Sequence, residues 1–295
     1  MRIKRSNAEN IFNVFNILFM CGLMVITAYP LWHVLMASIS KPEYLISHQG
    51  LLFLPQGISF AAYKAVFQNK AVYTSYMNTI IYVVAGTGLN LFLTTLGAYV
   101  IAHKGPLWVK PLTSLIVFTM FFSGGMIPTY LLVNNYLHLG NTRWALILPE
   151  AIGVYNLIVM RTFFQGLPDS LEESARIDGA NEFTILWKIV IPCSKAVVAI
   201  MILFYGVGHW NSWFSAMIYL RDRMLYPLQL ILREILIAND STTAMASSSN
   251  IGDTEQIGQT IRFATVVVAT VPILCVYPFV QKHFTKGVMI GSVKG

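Results

Sequence analysis

At 295 residues, 56% of them hydrophobic and only 11% charged, the chain is too apolar for an ordinary soluble domain, which carries roughly 25% charged residues. Its formal net charge of +7 could suggest nucleic acid, but the Lys and Arg residues stand at the ends of apolar blocks and form no basic stripe, so nucleic acid is excluded and the charge reads as a topology signal. Cys21, Cys193 and Cys275 lie in or beside apolar blocks without paired spacing, which reads as buried thiols and neither a disulfide framework nor a metal site.

Six apolar blocks reach the roughly 20 residues that a helix needs to cross a bilayer: 11–37, 76–102, 112–133, 144–164, 193–219 and 261–280. The expected fold class is an all-α membrane protein with six transmembrane helices, a single domain over 1–295. The first block follows a basic start, but it is too long for the apolar part of a signal peptide and lacks a small-residue cleavage site. It is read as an uncleaved span, kinked by Pro30. With both termini in the cytoplasm, the inside holds twelve Lys and Arg and the outside eight, four of them from Arg221 to Arg262 in and just past one long segment. Long segments weigh little in the positive-inside rule, so both termini inside is favoured.

In the outer segment 40–75, Tyr63, Val66 and Phe67 have helical spacing and suit a helix along the membrane surface. Gly86, Gly88 and Gly97 in the second block are expected to let neighbouring helices approach. The third block contains Gly124, Gly125 and Pro128, which break a helix. Broken backbone at membrane depth is tolerated only in protein or beside water, so this stretch, with Tyr130, is a candidate for a translocation path; a packing kink is the plainer alternative. No G-x4-G-K-[ST] occurs, so ATP is not held in that way. Glu150, the one carboxylate close to an apolar block, is a functional candidate as intramembrane acids are; an interfacial position beside Pro149 is the plainer alternative.

Trp210, Asn211 and Trp213 in the fifth block are further candidates for the path, because aromatic rings beside hydrogen-bonding groups suit sugars; the membrane interface also favours such residues. The extracytoplasmic segment 221–260 opens with an expected helix, 226–238, whose Leu228, Ile231, Leu232 and Ile235 form one apolar face. Arg221, Arg223 and Arg233 are then left to face a partner, and the Ser- and Thr-rich stretch after Asn239 has too little apolar content to fold alone.

Between the fourth and fifth blocks lies the polar stretch 167–192, which holds five of the 13 acidic residues. Ser170 and Glu173 fit a capping box, Gly179 a left-handed helix stop, and Asn181 the cap of a second helix. The expectation is helix, glycine bend, helix. Glu173-Ser174-Ala175, three residues, Gly179, nine residues, then Ile189-Val190-Ile191-Pro192 resembles the EAA loop of ATP-binding-cassette importer permeases, departing from it at Ser174 and Ile191.

The resemblance extends along the chain to the MalG type of carbohydrate permease, through Leu54-Pro55-Gln56-Gly57-Ile58-Ser59, Asn78-Thr79, Ala98-Tyr99, Arg161 and the closing Gly291-Ser292-Val293-Lys294-Gly295. It implies a type I importer permease fold with a core over about 76–282. It also implies a second permease subunit, two ATPase subunits that hold ATP and Mg, and an extracytoplasmic solute-binding protein. The chain itself would then be no enzyme and bind no cofactor. Glu172, Glu173, Ser174, Ala175, Asp178, Gly179, Ala180, Ile189 and Pro192 would couple to the ATPases, joined by Gly291, Val293, Lys294 and Gly295 of the tail. Phe122–Tyr130 and Tyr226–Glu234 resemble the branch associated with larger, often acidic or branched oligosaccharides in Gram-positive bacteria, implying a multi-pass protein of the bacterial cell membrane. A non-sugar solute is the alternative; a channel or secondary transporter would leave the loop unexplained and shows no internal repeat.

Overall fold

The computed structural model describes residues 7–47, 50–103, 107–246, 260–275 and Pro278. Among the described residues there is no strand, only an isolated antiparallel bridge between Ser40 and Ile58. The chain divides into two compact units, one of 1–69 with 234–270 and one of 70–233 with 271–295.

The first unit is built on α1 (Asn7–Ser38), 32 residues long. At about 1.5 Å per residue this outreaches the roughly 30 Å hydrocarbon core, and Pro30 lies inside one continuous helix. Side chains such as Phe12, Leu18 and Ile26 are more than 60% exposed within the chain, as suits a helix whose solvent is lipid. Only its last turn is buried, where Met36 and Ala37 pack with Leu52 and, less completely, Ile39, Leu45 and Phe263. The segment that follows is tied back to this end of α1: Trp32 donates to the Phe53 carbonyl at 2.9 Å, and Tyr29 accepts from the Leu52 amide at 2.9 Å. Two short helices, α2 (Pro42–Ser47) and α3 (Ala61–Gln68), complete the stretch. In α3, Ala62 and Val66 are buried while Phe67 is exposed, and Tyr63 reaches Ser38 through a 2.7 Å hydroxyl pair.

The second unit is organised by α4 (Lys70–Ala102), 33 residues, which begins six residues before the expected block. Apolar patterning does not mark its buried side, because that side is polar: Ser75, Asn78, Thr79, Thr87, Asn90, Thr94 and Thr95 are all buried. Their spacing of three, four and seven residues places them on one side of the helix. Of the three glycines, Gly86 lies against the His209 ring and Gly97 against Leu157, whereas a Cβ at Gly88 would meet nothing within 4 Å. Two of the three therefore act as contact points.

The polar side is explained by what packs on it. The third, fourth and fifth blocks, expected as single spans, are each broken. α5 (Val109–Phe121) and α6 (Met126–Leu131), which runs on through a π turn to Tyr136, meet at 109°. The bend forms where Phe122 is extended and Gly125 takes φ +83, a left-handed region open to glycine. The fourth block splits into α7 (Trp144–Ile147) and α8 (Val154–Gln165); the fifth into α12 (Lys195–Trp210) and α13 (Trp213–Tyr219). Each break frees backbone groups that lipid cannot satisfy; α4 reaches one in the fourth block, and it also holds the backbone of 224–228 that follows α13. Asn78 donates to the carbonyls of Met224 at 2.6 Å and Tyr226 at 3.2 Å. Tyr82 donates to the Leu225 carbonyl at 2.7 Å, and Thr79 accepts from the Leu228 amide at 2.8 Å. Asn90 donates to the Glu150 carbonyl and accepts at its other side-chain atom from His209. Thr94 pairs at 2.7 Å with Tyr205, which in turn accepts from the Gly153 amide.

Among the described residues only α1 and α4 are long and apolar enough to cross a membrane singly, and the count reaches four when each bent pair is taken as one span. The helix α15 (Thr260–Cys275) is apolar but shorter. α14 (Leu228–Ala246) runs into the Ser- and Thr-rich stretch expected not to fold alone, as far as Ala246; 247–259 lie outside the described residues. Its front is anchored by Leu228, Leu230, Ile231 and Leu232, all buried, and each further residue of an established helix adds a hydrogen bond. Cys21, Cys193 and Cys275 are free and exposed within the chain, correcting the expectation of buried thiols: on a membrane helix an apolar neighbourhood in sequence does not mean an interior position.

Replacing Asn78 by leucine tests this account. The near-isosteric change removes two donors to carbonyls and the acceptor that takes Arg143 Nη2 at 3.2 Å. Hydrogen bonds inside membrane proteins contribute about 0.6–2 kcal/mol each, so the purified protein should melt several degrees lower. An unchanged melting temperature would show that these bonds are replaceable by water.

Candidate functional site

The polar stretch folds as α9 (Asp169–Ile177), a glycine turn, and α10 (Glu182–Ile185), which continues through a π turn at 186–190 into α11 (Ile191–Cys193). Pro168, extended at φ −62 and ψ 124, caps α9, so Ser170 falls inside the first turn and accepts no capping bond. The capping box is thereby corrected: the helix is capped at Pro168, two residues too early for Ser170 to serve. Asp169 and Glu172 in the first turn and Arg176 in the last suit the helix dipole.

The helix ends as the sequence led one to expect. Gly179 takes φ +80, the Ala180 amide donates to the Ala175 carbonyl and the Gly179 amide to that of Arg176, both at 3.0 Å. This pair of bonds is the Schellman arrangement that a left-handed residue makes possible. Asn181 then accepts from the Thr184 amide at 2.8 Å and caps the second helix. The path from 182 to 193 meets α12 at 86°.

The stretch is not a solvated loop. Ala175, Ile185, Leu186 and Val190 are buried in one core with Tyr99, Ile101, Met160 and Phe164, and Ala180 and Ile189 pack partly against it. Glu173, Ser174, Asp178, Gly179 and Pro192 are exposed. So are apolar side chains: Ile177 is 86% exposed and Phe183 67%.

A charged network joins the stretch to the end of α4. Tyr99 donates to Glu182 Oε2 at 2.6 Å, Arg176 Nε donates to Glu182 Oε1 at 3.1 Å, and Arg176 Nη2 lies 3.4 Å from Glu172. His103 Nε2 lies 2.9 Å from Glu172 Oε2. These residues border a cavity of about 690 Å³ whose other walls include Leu96, Val100, Phe164 and Leu186. The hydrogen bond from Tyr99 first, and that from Arg176 second, hold the Glu182 carboxyl below the usual carboxylate range. Because its folded value is depressed, its stabilising contribution is complete above the ordinary carboxylate range and is lost only as pH falls through the lowered value. Glu182 therefore stays ionised around neutrality. Tyr99 and His103 carried a legible signal, an aromatic and a titratable group one turn apart at a helix end, but their partners lie some seventy residues away in sequence.

The other candidates have their own neighbours. Tyr130 stacks on Tyr219 with centroids 6.0 Å apart, and Trp210 meets Tyr76 edge-on at 6.0 Å. Asn211 is exposed at the end of α12, and Gly124 and Gly125 are exposed at the 109° bend. Arg233 lies 4.0 Å over the Trp213 ring and donates to Met217 Sδ at 3.0 Å. Arg221 and Arg223 are exposed, on a turn fixed by Asn141, whose side chain accepts from the amides of Arg221 and Asp222. Gly291, Val293, Lys294 and Gly295 lie outside the described residues. Among the described residues no group of three or more His, Cys, Asp or Glu is placed to hold a metal ion.

Broken helices bonded to one polar-sided membrane helix, with a helix–glycine–helix projection on its end, are the build of a membrane transport component. Residues 57–290 match the family described as the binding-protein-dependent transport system inner membrane component, and the chain belongs to it. The polygalacturonan/rhamnogalacturonan transport system permease protein YtcP of Bacillus subtilis is 43% identical over 284 residues, covering 94% of this chain and 96% of its own. Protein LplC of Bacillus subtilis is 44% identical, covering 98% and 97%. Among solved structures, a bacterial ABC transporter involved in the import of the acidic polysaccharide alginate matches with a TM-score of 0.85 and 32% identity, over 96% of this chain and 99% of that one. The fold is that of a type I ABC permease, a transport subunit.

Proposed function

We propose that the chain is one of two permease subunits of an ATP-driven importer that moves an oligosaccharide, of the acidic kind, into a Gram-positive bacterial cell. The observation that carries this reading is the outward edge of 167–192. Ile177 and Phe183 are exposed there beside Glu173 and Asp178, on a projection whose other side is fused to the core. Apolar groups on a polar projection suit a protein partner, and the expected partner is an ATPase subunit that itself holds ATP and Mg. Glu172, Ala175, Ala180 and Ile189 keep the projection's shape, while Glu173, Ser174, Asp178, Gly179 and Pro192 present it. The tail Gly291–Gly295 is proposed to reach the same ATPase pair. Six crossings with both termini cytoplasmic put the projection on the ATP side, in keeping with the Lys and Arg asymmetry.

The substrate class follows from the names of the relatives, two of which concern acidic polysaccharides. Tyr130, Trp210, Asn211 and Trp213, with Gly124 and Gly125 at the bend, are proposed to border the path. The test is reconstitution with a second permease, the ATPase and a solute-binding protein in liposomes. ATP-dependent accumulation of an oligogalacturonide is expected; uptake that proceeds without ATP or without the binding protein would sink the reading.

Arg221 and Arg223 are proposed to meet the binding protein, where exposed charges mainly set encounter rate and register. Replacing both by Glu should raise the binding-protein concentration needed for half-maximal ATP hydrolysis, more at low salt than at high, with the unstimulated rate unchanged. A curve indifferent to both the charge reversal and the salt would rule this contact out.

A further inference from the structure

The end of α4 carries a histidine for which the coupling reading has no use. His103 Nδ1 lies 2.8 Å from the Tyr99 carbonyl oxygen, which can only accept, so Nδ1 keeps its proton in either charge state. Nε2 has two neighbours of opposite kind, Glu172 Oε2 at 2.9 Å and Arg176 Nη2 at 3.2 Å. A carboxylate only accepts and a guanidinium only donates, so Nε2 can serve one of them at a time. Without a proton it accepts from Arg176. With one it donates to Glu172 and faces the guanidinium as a like charge.

We propose that His103 is a proton-responsive positioning residue, whose charge state selects which α9 side chain ties the coupling projection to α4 and so makes coupling depend on cytoplasmic pH. The proposal rests on the coupling role given above. The surroundings permit such a switch. On its own helix His103 meets the Tyr99 ring edge-on at 4.5 Å. From α9, Asp169, Glu172, Glu173 and Arg176 border the same cavity, as does Glu182 of α10. From α8, Arg161 is committed to the Ile101 carbonyl at 2.9 Å and Gln165 to that of Ala102 at 3.2 Å. Acidic groups outnumber guanidinium groups, and the His103 side chain is 27% exposed, so protons reach it. Of the residue types gathered here, histidine is the one that ordinarily changes charge between about pH 5 and 8.

Two measurements test this. In the assembled transporter in lipid nanodiscs, the ratio of binding-protein-stimulated to unstimulated ATP hydrolysis should show an inflection as pH is varied. His103→Gln should remove the inflection, and His103→Arg, permanently charged, should hold the ratio at its low-pH level. An inflection in His103→Gln equal to that of the natural protein overturns the proposal. The second measurement needs no ATPase. In the permease alone, with its three cysteines replaced and an environment-sensitive fluorophore on Ile177→Cys, emission should shift across the same inflection, and His103→Gln should abolish the shift. A shift that persists in His103→Gln overturns the switch. Transport surviving Gly179→Leu would defeat the coupling role instead, and would leave this fluorescence result standing.

Discussion

Gly179→Leu is expected to abolish transport while leaving the protein inserted in the membrane. Gly179 adopts φ +80, and a side chain there strains the backbone even though a Cβ would meet nothing within 4 Å. The left-handed conformation costs an ordinary L-residue roughly 1–2 kcal/mol. That is enough to loosen the two 3.0 Å bonds closing α9, and too little to unfold a helix bundle. The open space around the Cβ means that leucine's extra bulk projects outward, onto the face proposed to meet the ATPase. A graded series separates the two effects. Gly179→Asn, which tolerates φ above zero, should keep most transport; Gly179→Ala should lose part; Gly179→Leu should lose all. Measuring sugar uptake alongside membrane content checks this. Normal uptake by the leucine variant would remove Gly179 from the coupling machinery.

Gly86→Val should strongly destabilise the fold. A Cβ at this position falls on the His209 ring, which is buried at 3% exposure and bonded to Asn90 at 2.7 Å. Forcing α4 and α12 apart costs about 1–3 kcal/mol by overpacking, and a displaced His209 also leaves Asn90 without its partner, about 1–3 kcal/mol more. The isolated permease should melt well below the natural protein. Gly88→Val, two residues along, should melt normally. His209→Ala in the Gly86→Val background should recover part of the loss by removing the ring. Equal melting of the two valine variants would show that the helices do not meet at Gly86.

Helical character, the position of the first two membrane helices and the helix–glycine–helix form of 167–192 were legible in the sequence, because each is local. Length and apolarity define α1 and α4, and Gly179 and Asn181 announce their turn within five residues. The breaks at 148–153 and 211–212 were not legible. Their blocks are as apolar as unbroken spans, and at 148–153 what permits the interruption is a partner elsewhere, Asn90 or Tyr205 supplying a bond to the exposed backbone. The same holds for Arg233, whose place over Trp213 depends on how α14 packs. The charged network was half visible: Glu172 and Arg176 stand one turn apart, but His103 and Tyr99 approach them only in the folded chain.

The polar side of α4 has a bearing on how this chain can change over time. Asn78, Tyr82 and Asn90 address main-chain oxygens of Met224, Leu225, Tyr226 and Glu150, not their side chains. The receiving segments can thus exchange nearly any side chain without losing the bond, while the giving residues have no such freedom. One helix holds the backbone in place so that the side chains around it are at liberty to change.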